Sequence, residues 1–336
     1  MNKLFFTSIM LMLAIVASAK SYKIGPSSVT GMNFASINAA MSSVSAGDTL
    51  LLDKAYKETS EQTVTKAVII IGNGFDTTTS TIAQVSTLNL KADGIHINSL
   101  YVTNVNFYNK DCRLYRCFVG TKASSSATGS NSIHSCYFTG TISGESFSVK
   151  FDIQNTIFYT GTYNVIYNLA LSNICHCIIY GNGNSNYDYY IIKNVTSSNI
   201  TDNIIVNSNS GNSTSRSYTI SNYDVSSMNT IHHNVMSGFK NITNYPLNTM
   251  TGNSSLNPIC KCSGTTVSGT YFELRSDSPA LNYASDGSDC GIYGGLYPYV
   301  DYGRPIYVPY FTNINIPAKA TNGVLPISVT VEVQNK

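Results

Sequence analysis

The sequence has few charged residues and no tryptophan. Only 11% of its 336 residues are Asp, Glu, Lys or Arg, less than half of the roughly 25% that is usual in globular proteins. The 20 Lys+Arg are balanced by 18 Asp+Glu, which leaves no basic surface for a nucleic-acid partner. Disordered chains are rich in charge and poor in aromatic residues, so the 24 Tyr and 13 Phe argue against disorder.

Neutral polar residues take the place of the missing charges. Asn, Ser and Thr together supply 113 residues, a third of the chain. These residues and Tyr are mediocre helix formers, whereas Thr, Tyr and Phe are common in strands. The composition therefore predicts a β-rich protein of low charge.

Residues 1–19 have the pattern of a secretory signal peptide. Lys3 precedes an apolar run from Leu4 to Val16, and Ala17 and Ala19 supply the small residues of a cleavage site. The alternative, a transmembrane anchor, needs a longer apolar run. No later run approaches 18 apolar residues, so we expect an exported protein without a transmembrane segment, located in the periplasm, at the cell surface or outside the cell.

Eight cysteines in an exported chain raise the question of disulfides. Cys117, Cys136 and Cys177 lie inside apolar repeats, where a free thiol acts as a small apolar side chain. Cys260, Cys262 and Cys290 are the better candidates for a disulfide, and their pairing stays open. Tight four-ligand spacing for zinc is absent.

A short motif recurs along the middle of the chain. It has an apolar first position, two variable positions, Cys, Asn or Thr at the fourth, one further residue and an apolar sixth position. Successive copies start 19, 20, 21, 26 and 31 residues apart. The copies begin at Leu114, Ile133, Ile153, Ile174, Ile200 and Ile231, after a weaker member at Ile97.

Such a unit predicts two short strands joined at a corner, and it buries its apolar side only when copies stack. Asn tolerates the left-handed backbone that a corner needs, and stacked Asn amides form a hydrogen-bonded ladder. The fourth position is therefore predicted to form a ladder that is apolar at first and amide later. Its members are Cys117, Cys136, Thr156, Cys177, Asn203 and Asn234.

These repeats resemble those of the right-handed parallel β-helix proteins, the pectin-lyase-like superfamily. Residues 34–53 are similar to an amphipathic capping helix and first strand, and residues 255–296 resemble the closing segment of exported β-helix proteins of Bacteroidetes. The resemblance implies an all-β solenoid over 20–296 with an N-terminal capping helix. Beyond it, 297–336 reads as a Pro- and Tyr-rich linker and an extended C-terminal strand, predicted from the alternation of Ile327 to Val333.

The superfamily includes hydrolases and lyases, and the residues argue against two kinds of site. The adjacent Asp-Asp and Gly-His-Gly signatures of polygalacturonase-like hydrolases are absent. A pectate-lyase-like calcium site gathers several acids on neighbouring coils, but residues 92–250 hold only seven. We therefore predict no cofactor, with calcium as the open alternative.

One set of polar residues shares a single column of the repeat. If copies stack, the third-position residues His176, Asp202 and His233 lie on adjacent coils. An acid beside an imidazole can orient a catalytic base, so these three are the candidate catalytic residues; His232 is expected to point elsewhere. The alternative is a polar corner without chemistry.

Insertions after the second strand of a repeat indicate a binding face. Residues 121–131, 181–188 and 207–217 are expected to project from one side of the solenoid. The candidate ligand-binding residues lie within or beside the second insertion and are Tyr180, Tyr187, Tyr189 and Tyr190. Packing of these rings against the solenoid is the alternative.

The expected function is binding of a polysaccharide or another surface by an exported monomer, without catalysis. One alternative is a polysaccharide lyase that cleaves uronate-containing glycans by β-elimination at a divergent site. The other is a purely structural or adhesive solenoid.

Overall fold

The computed structural model describes residues 19–76, 81–146, 148–181, 190–208, 220, 228–237, 247–251, 255–263, 269–304, 310–315 and 328–332. Apart from one helical turn, α1 (Ile37–Ala40), and 3-10 turns at Gly269–Phe272 and Asp301–Gly303, the regular elements there are strands. In chain order the strands are β1 Ser21–Ile24, β2 Thr49–Leu52, β3 Lys57–Val64, β4 Ile69–Ile71, β5 Gln84–Leu90, β6 His96–Asn98, β7 Tyr101–Phe107, β8 Arg113–Tyr115, β9 Phe118–Ser125, β10 Ser130–His134, β11 Tyr137–Phe138, β12 Thr141–Gly144, β13 Lys150–Gln154, β14 Ile157–Tyr159, β15 Ile166–Ala170, β16 Asn173–Cys175, β17 Ile178–Gly181, β18 Ile192–Thr196, β19 Asn199–Thr201, β20 Ile204–Asn207, β21 Thr230–His232, β22 Val235–Ser237, β23 Thr249–Thr251, β24 Tyr310–Asn315 and β25 Ser328–Glu332.

These strands build two long parallel sheets. Within the described residues, sheet A has ten strands in the order β1-β2-β4-β6-β8-β10-β13-β16-β19-β21. Sheet B takes the other thirteen strands up to β23, and the chain alternates between the two sheets along its length. The architecture is all-β and consistent with a parallel β-helix solenoid.

The repeats stack in the predicted register. Adjacent first-position residues pair directly, from Leu114 with Ile133 to Ile200 with Ile231. The long spacings of 26 and 31 residues therefore cause no register shift. First- and sixth-position side chains form the apolar core together with the fourth-position cysteines, and truncating one Ile there to Ala costs about 2–5 kcal/mol. The other fourth-position residues, Thr156, Asn203 and Asn234, are also fully buried.

The fourth-position ladder is confirmed. Asn203 Nδ2 donates to Asn234 Oδ1 at 2.9 Å, and Asn234 Nδ2 donates to Asn248 Oδ1 at 2.9 Å. Cys117, Cys136 and Cys177 are buried free thiols, as predicted. The left-handed corner, however, lies one residue earlier, at the third position, where φ is between 48° and 62°. Each such non-glycine residue costs about 1–3 kcal/mol, so the surrounding packing must hold it in place.

The two ends differ from expectation. A long amphipathic capping helix is not shown: α1 is a single turn, capped by Ser36 Oγ accepting from Ala39 N at 3.1 Å. Ser42 Oγ donates back to Ala39 O at 3.2 Å, a side-chain competition that disfavours continuing the helix. At the other end, the predicted C-terminal strand is present as β25, and it pairs antiparallel with β24.

The chain returns along the stacked coils after β23. Residues 255–263 and 269–304, here called the return segment, cover the outward face of sheet B. Ser285 contacts Asp202, Tyr297 contacts Ser135, and Arg304 reaches Asp76. The segment thus runs opposite to the direction of stacking. Residues 297–304, expected to be linker-like, belong to this packed segment.

Candidate functional site

The third-position column lies beneath the return segment. His176 and Asp202 are buried, with 5% and 4% exposure. His176 Nε2 is 3.9 Å from Asp202 Oδ2 and 3.8 Å from Asp286 Oδ2, and both distances are too long for hydrogen bonds. His176 and Asp202 therefore lie next to each other, as the stacking of the repeats predicts.

The Asp202 carboxylate anchors the return segment. Its Oδ1 accepts from Ser285 N at 2.6 Å and its Oδ2 accepts from Ser285 Oγ at 2.9 Å. Asp202 O also accepts from Gly291 N at 2.9 Å. The backbone of Gly294 and Gly295 packs closely against the His176 ring, because a Cβ added to either glycine would lie 2.6–2.7 Å from a ring atom. A polymer reaches His176 Nε2 only if this part of the return segment moves away.

His233 belongs to a different contact. Its Nδ1 lies 2.8 Å from Nδ1 of His232, and its ring is 5.7 Å from that of Tyr283. His232, which we expected to point elsewhere, is thus its neighbour. The left-handed corner brings the second- and third-position side chains of a repeat together. The same contact occurs in an earlier repeat, where Arg116 Nη2 donates to the Tyr115 hydroxyl at 2.9 Å.

The predicted ligand-binding tyrosines have different surroundings. Tyr180 stacks on Tyr159 with ring centroids 4.7 Å apart, and Tyr159 meets the edge of Tyr271 at 5.9 Å. Tyr190 is partly exposed. Tyr187 and Tyr189 lie outside the described residues. Tyr180 is therefore part of an aromatic cluster that the return segment completes.

The insertions are only partly described. Residues 121–125, expected to project as a loop, complete strand β9 and pair with β7 and β12. Residues 130 and 131 already belong to β10. Ala123, Ser124 and Ser125 are all buried, so this end of the strand is packed on both sides. Residues 182–188 and 209–217 lie outside the described residues.

A second candidate site is the outward side of sheet A. Ten residues lie immediately before and after the inward first-position residues, and their side chains point outward. They belong to β10, β13, β16, β19 and β21 and are here called the polar face. All except His134 are at least partly exposed, and the stack extends roughly 19 Å at about 4.8 Å per strand. The polar face consists of Ser132, His134, Asp152, Gln154, Asn173, Cys175, Asn199, Thr201, Thr230 and His232.

Asp152 is the centre of the hydrogen bonding on the polar face. It accepts from Asn173 Nδ2 at 2.9 Å, from Gln154 Nε2 at 2.8 Å and from His134 Nε2 at 2.9 Å. Burial raises the pKa of Asp152, but these three hydrogen bonds together bring it below its ordinary value. The carboxylate is therefore ionised and already oriented.

Two side chains near Asp152 are constrained: His134 in its position and Cys175 in its protonation state. The His134 ring is stacked at 4.1 Å on Tyr297 of the return segment. Burial raises the pKa of Cys175 to about 12, and the charges of Asp152, Asp202 and Asp286 act in the same direction. The thiol stays protonated at neutral pH and is a poor nucleophile.

The sequence reasoning missed His134 and the polar face. The sequence does carry a signal for this face: seven of the ten residues that flank the inward Ile positions are Ser, Asn, Gln, Thr or Asp, and the other three are His134, Cys175 and His232. The signal is weak, because Ser, Asn and Thr are common throughout the chain. The opposite signal, an apolar fifth position, was overlooked as well.

Known proteins give no further guidance to this site. No protein-family model matches the chain, and no curated protein is significantly similar to it. Over the described parts of the chain, no group of three or more His, Cys, Asp or Glu residues is arranged to hold a metal ion. In the same parts, no helix has the length and apolar character needed to cross a bilayer.

Proposed function

We propose that this protein is exported, forms a right-handed parallel β-helix of the pectin-lyase-like superfamily, and binds polysaccharide through its polar face without cleaving it. The observation that carries the proposal is the polar face itself. It repeats its polar groups at the strand spacing, and Asp152 supplies the one carboxylate among its ten residues.

The chemistry of the polar face suits a neutral or weakly charged glycan. Sugar hydroxyls both donate and accept hydrogen bonds, and the amides and hydroxyls of Asn199, Thr201 and Thr230 do likewise. Asp152 supplies an ionised acceptor whose geometry is set before a ligand arrives. Preorganised polar groups lose little entropy on binding and fix the ligand's orientation.

A panel of insoluble polysaccharides tests the proposal. Residues 20–336 are incubated with neutral and uronate-containing polymers, with and without calcium, and bound protein is measured after sedimentation. We expect retention on at least one polymer and a loss of at least ten-fold in affinity in Thr201→Glu, which places a charge on β19 within the polar face. Thr59→Glu, at an exposed Thr on β3 of the other sheet, is the matched control and should bind normally.

The lyase alternative has a separate readout in the same panel. New unsaturated uronates absorb in the ultraviolet, and their formation would overturn binding without cleavage. A lyase acting through the predicted residues would lose this absorbance in His176→Ala, Asp202→Asn or His233→Ala. Equal binding by both Thr→Glu variants would reject the polar face as the binding site.

A further inference from the structure

The predicted signal-peptide junction lies beside an oriented carboxylate. Ala19 and Lys20 are exposed, and β1 begins one residue later. Lys20 N donates to Asp48 Oδ1 at 2.8 Å, and Lys20 O accepts from Thr49 N at 2.8 Å. The backbone at residue 20 is therefore held against the start of β2 on both its donor and acceptor sides.

Only one of the two carboxylate oxygens of Asp48 is used by the turn that contains it. Its Oδ2 accepts from Ser45 N at 2.7 Å, which closes the turn before β2. Its Oδ1 is left to reach across to residue 20. Hydrogen bonds from the backbone of Ser45 and Lys20 lower the pKa of the Asp48 carboxyl, with smaller contributions from the charges of Lys20 and Lys66. The side chain of Lys66 also donates to Val44 O.

We propose that export hydrolyses the Ala19–Lys20 bond and that the new α-ammonium of Lys20 is captured by Asp48, which locks the first strand of the mature protein. The small residues Ala17 and Ala19 fit a signal peptidase. Water adds across the amide: the C–N bond breaks, Ala19 gains a carboxylate and Lys20 gains an ammonium group. This inference rests on the export part of the proposed function and not on glycan binding.

The physical consequence follows from the change in the donor. Before cleavage, residue 20 offers Asp48 one neutral N–H; afterwards it offers a full positive charge at the same nitrogen. The hydrogen bond to the ionised Asp48 carboxylate is charge-assisted in both forms, and cleavage adds the Coulomb attraction between two opposite charges. Pairing also raises the pKa of the α-amine above its ordinary value of about 7.7–8.0.

The pH dependence has a definite sign. A group whose pKa is raised in the folded state contributes stability that is complete below its unfolded pKa and is lost as the pH rises through the folded pKa. The Asp48 carboxyl, whose pKa is lowered, loses its contribution at the acid end. The gain from the free Lys20 terminus should therefore be largest at about pH 5–7.

Two measurements test the capture. The first is mass spectrometry of the intact protein from exporting cells, which should find Lys20 as the first residue. The second is a cycle of four proteins, beginning at Lys20 or at Ala19 and carrying Asp48 or Asp48→Asn, unfolded by heat. With Asp48, we expect the Lys20 form to melt higher by roughly 2–4 °C at pH 6. This difference should vanish at pH 10 and in Asp48→Asn.

Asp53→Asn is the matched control, because Asp53 Oδ1 accepts from Ala55 N at 2.8 Å within its own turn. It should keep the difference between the two starting points. If Asp48→Asn fails to fold, the acetylation rate of the Lys20 α-amine against pH still decides. The rate should give a higher pKa in the folded protein than in the same protein in urea. A different first residue, equal melting temperatures or an unchanged amine pKa would each overturn the capture.

Discussion

The polar face and the outward side of sheet B come from the same repeat but have opposite chemistry. On the polar face, the outward positions carry no large apolar side chain and, apart from the buried His134, are at least partly open to solvent. In sheet B, the outward fifth position is apolar from Phe118 to Val235, and it packs with Leu256, Phe272 and Ile292 of the return segment. An apolar outward column in a solenoid therefore predicts a covering segment, and a polar one predicts a surface free for ligands.

The covered column should be far more sensitive to a charge than the open one. Ile178→Asp places an unpaired carboxylate in a fully covered site, and we expect it to lose about 3–5 kcal/mol of unfolding free energy or to prevent folding. Asn199→Asp makes an isosteric change on the polar face and should stay within about 0.5 kcal/mol. Urea unfolding measures both. Similar losses in the two variants would break the comparison.

The attachment of the return segment at His176 offers a finer test. Gly295→Ala would bring a Cβ to 2.6 Å from His176 Cδ2, whereas the same change at Gly287 meets nothing within 4 Å. Both glycines have positive φ, 67° and 82°, so backbone strain is common to the two variants. We expect Gly295→Ala to cost about 1–3 kcal/mol more than Gly287→Ala in thermal unfolding. Equal costs would mean that the contact with His176 adjusts freely.

Much of the stacking of the two parallel sheets could be predicted from the sequence, and the reason is physical. Inward residues such as Ile153 and Asn203 pack against or hydrogen-bond with the equivalent residues of the next repeat. The residue types at these positions therefore recur along the sequence, and their spacing indicates which residues pair. Contacts made by the return segment leave no such period, because Ser285 meets Asp202 from 83 residues away. The burial of the His176 corner therefore could not be predicted, whereas the apolar fifth position did signal that a cover exists.

The hydrogen bonding around Asp152 should give the smallest effect, and one confined to a range of pH. Because its folded pKa is lowered, the carboxylate contributes stability that is present above its unfolded pKa of about 3.9 and is lost as the pH falls through the folded value. Asp152→Asn should therefore be less stable than the unmodified protein at pH 6, and the difference should shrink toward pH 3. Asn199→Asp, which adds a carboxylate without these three donors, is the control and should show no such loss. Urea unfolding between pH 3 and 7 measures this, and a difference that is constant with pH would show that Asp152 acts on the polar face through shape and not through charge.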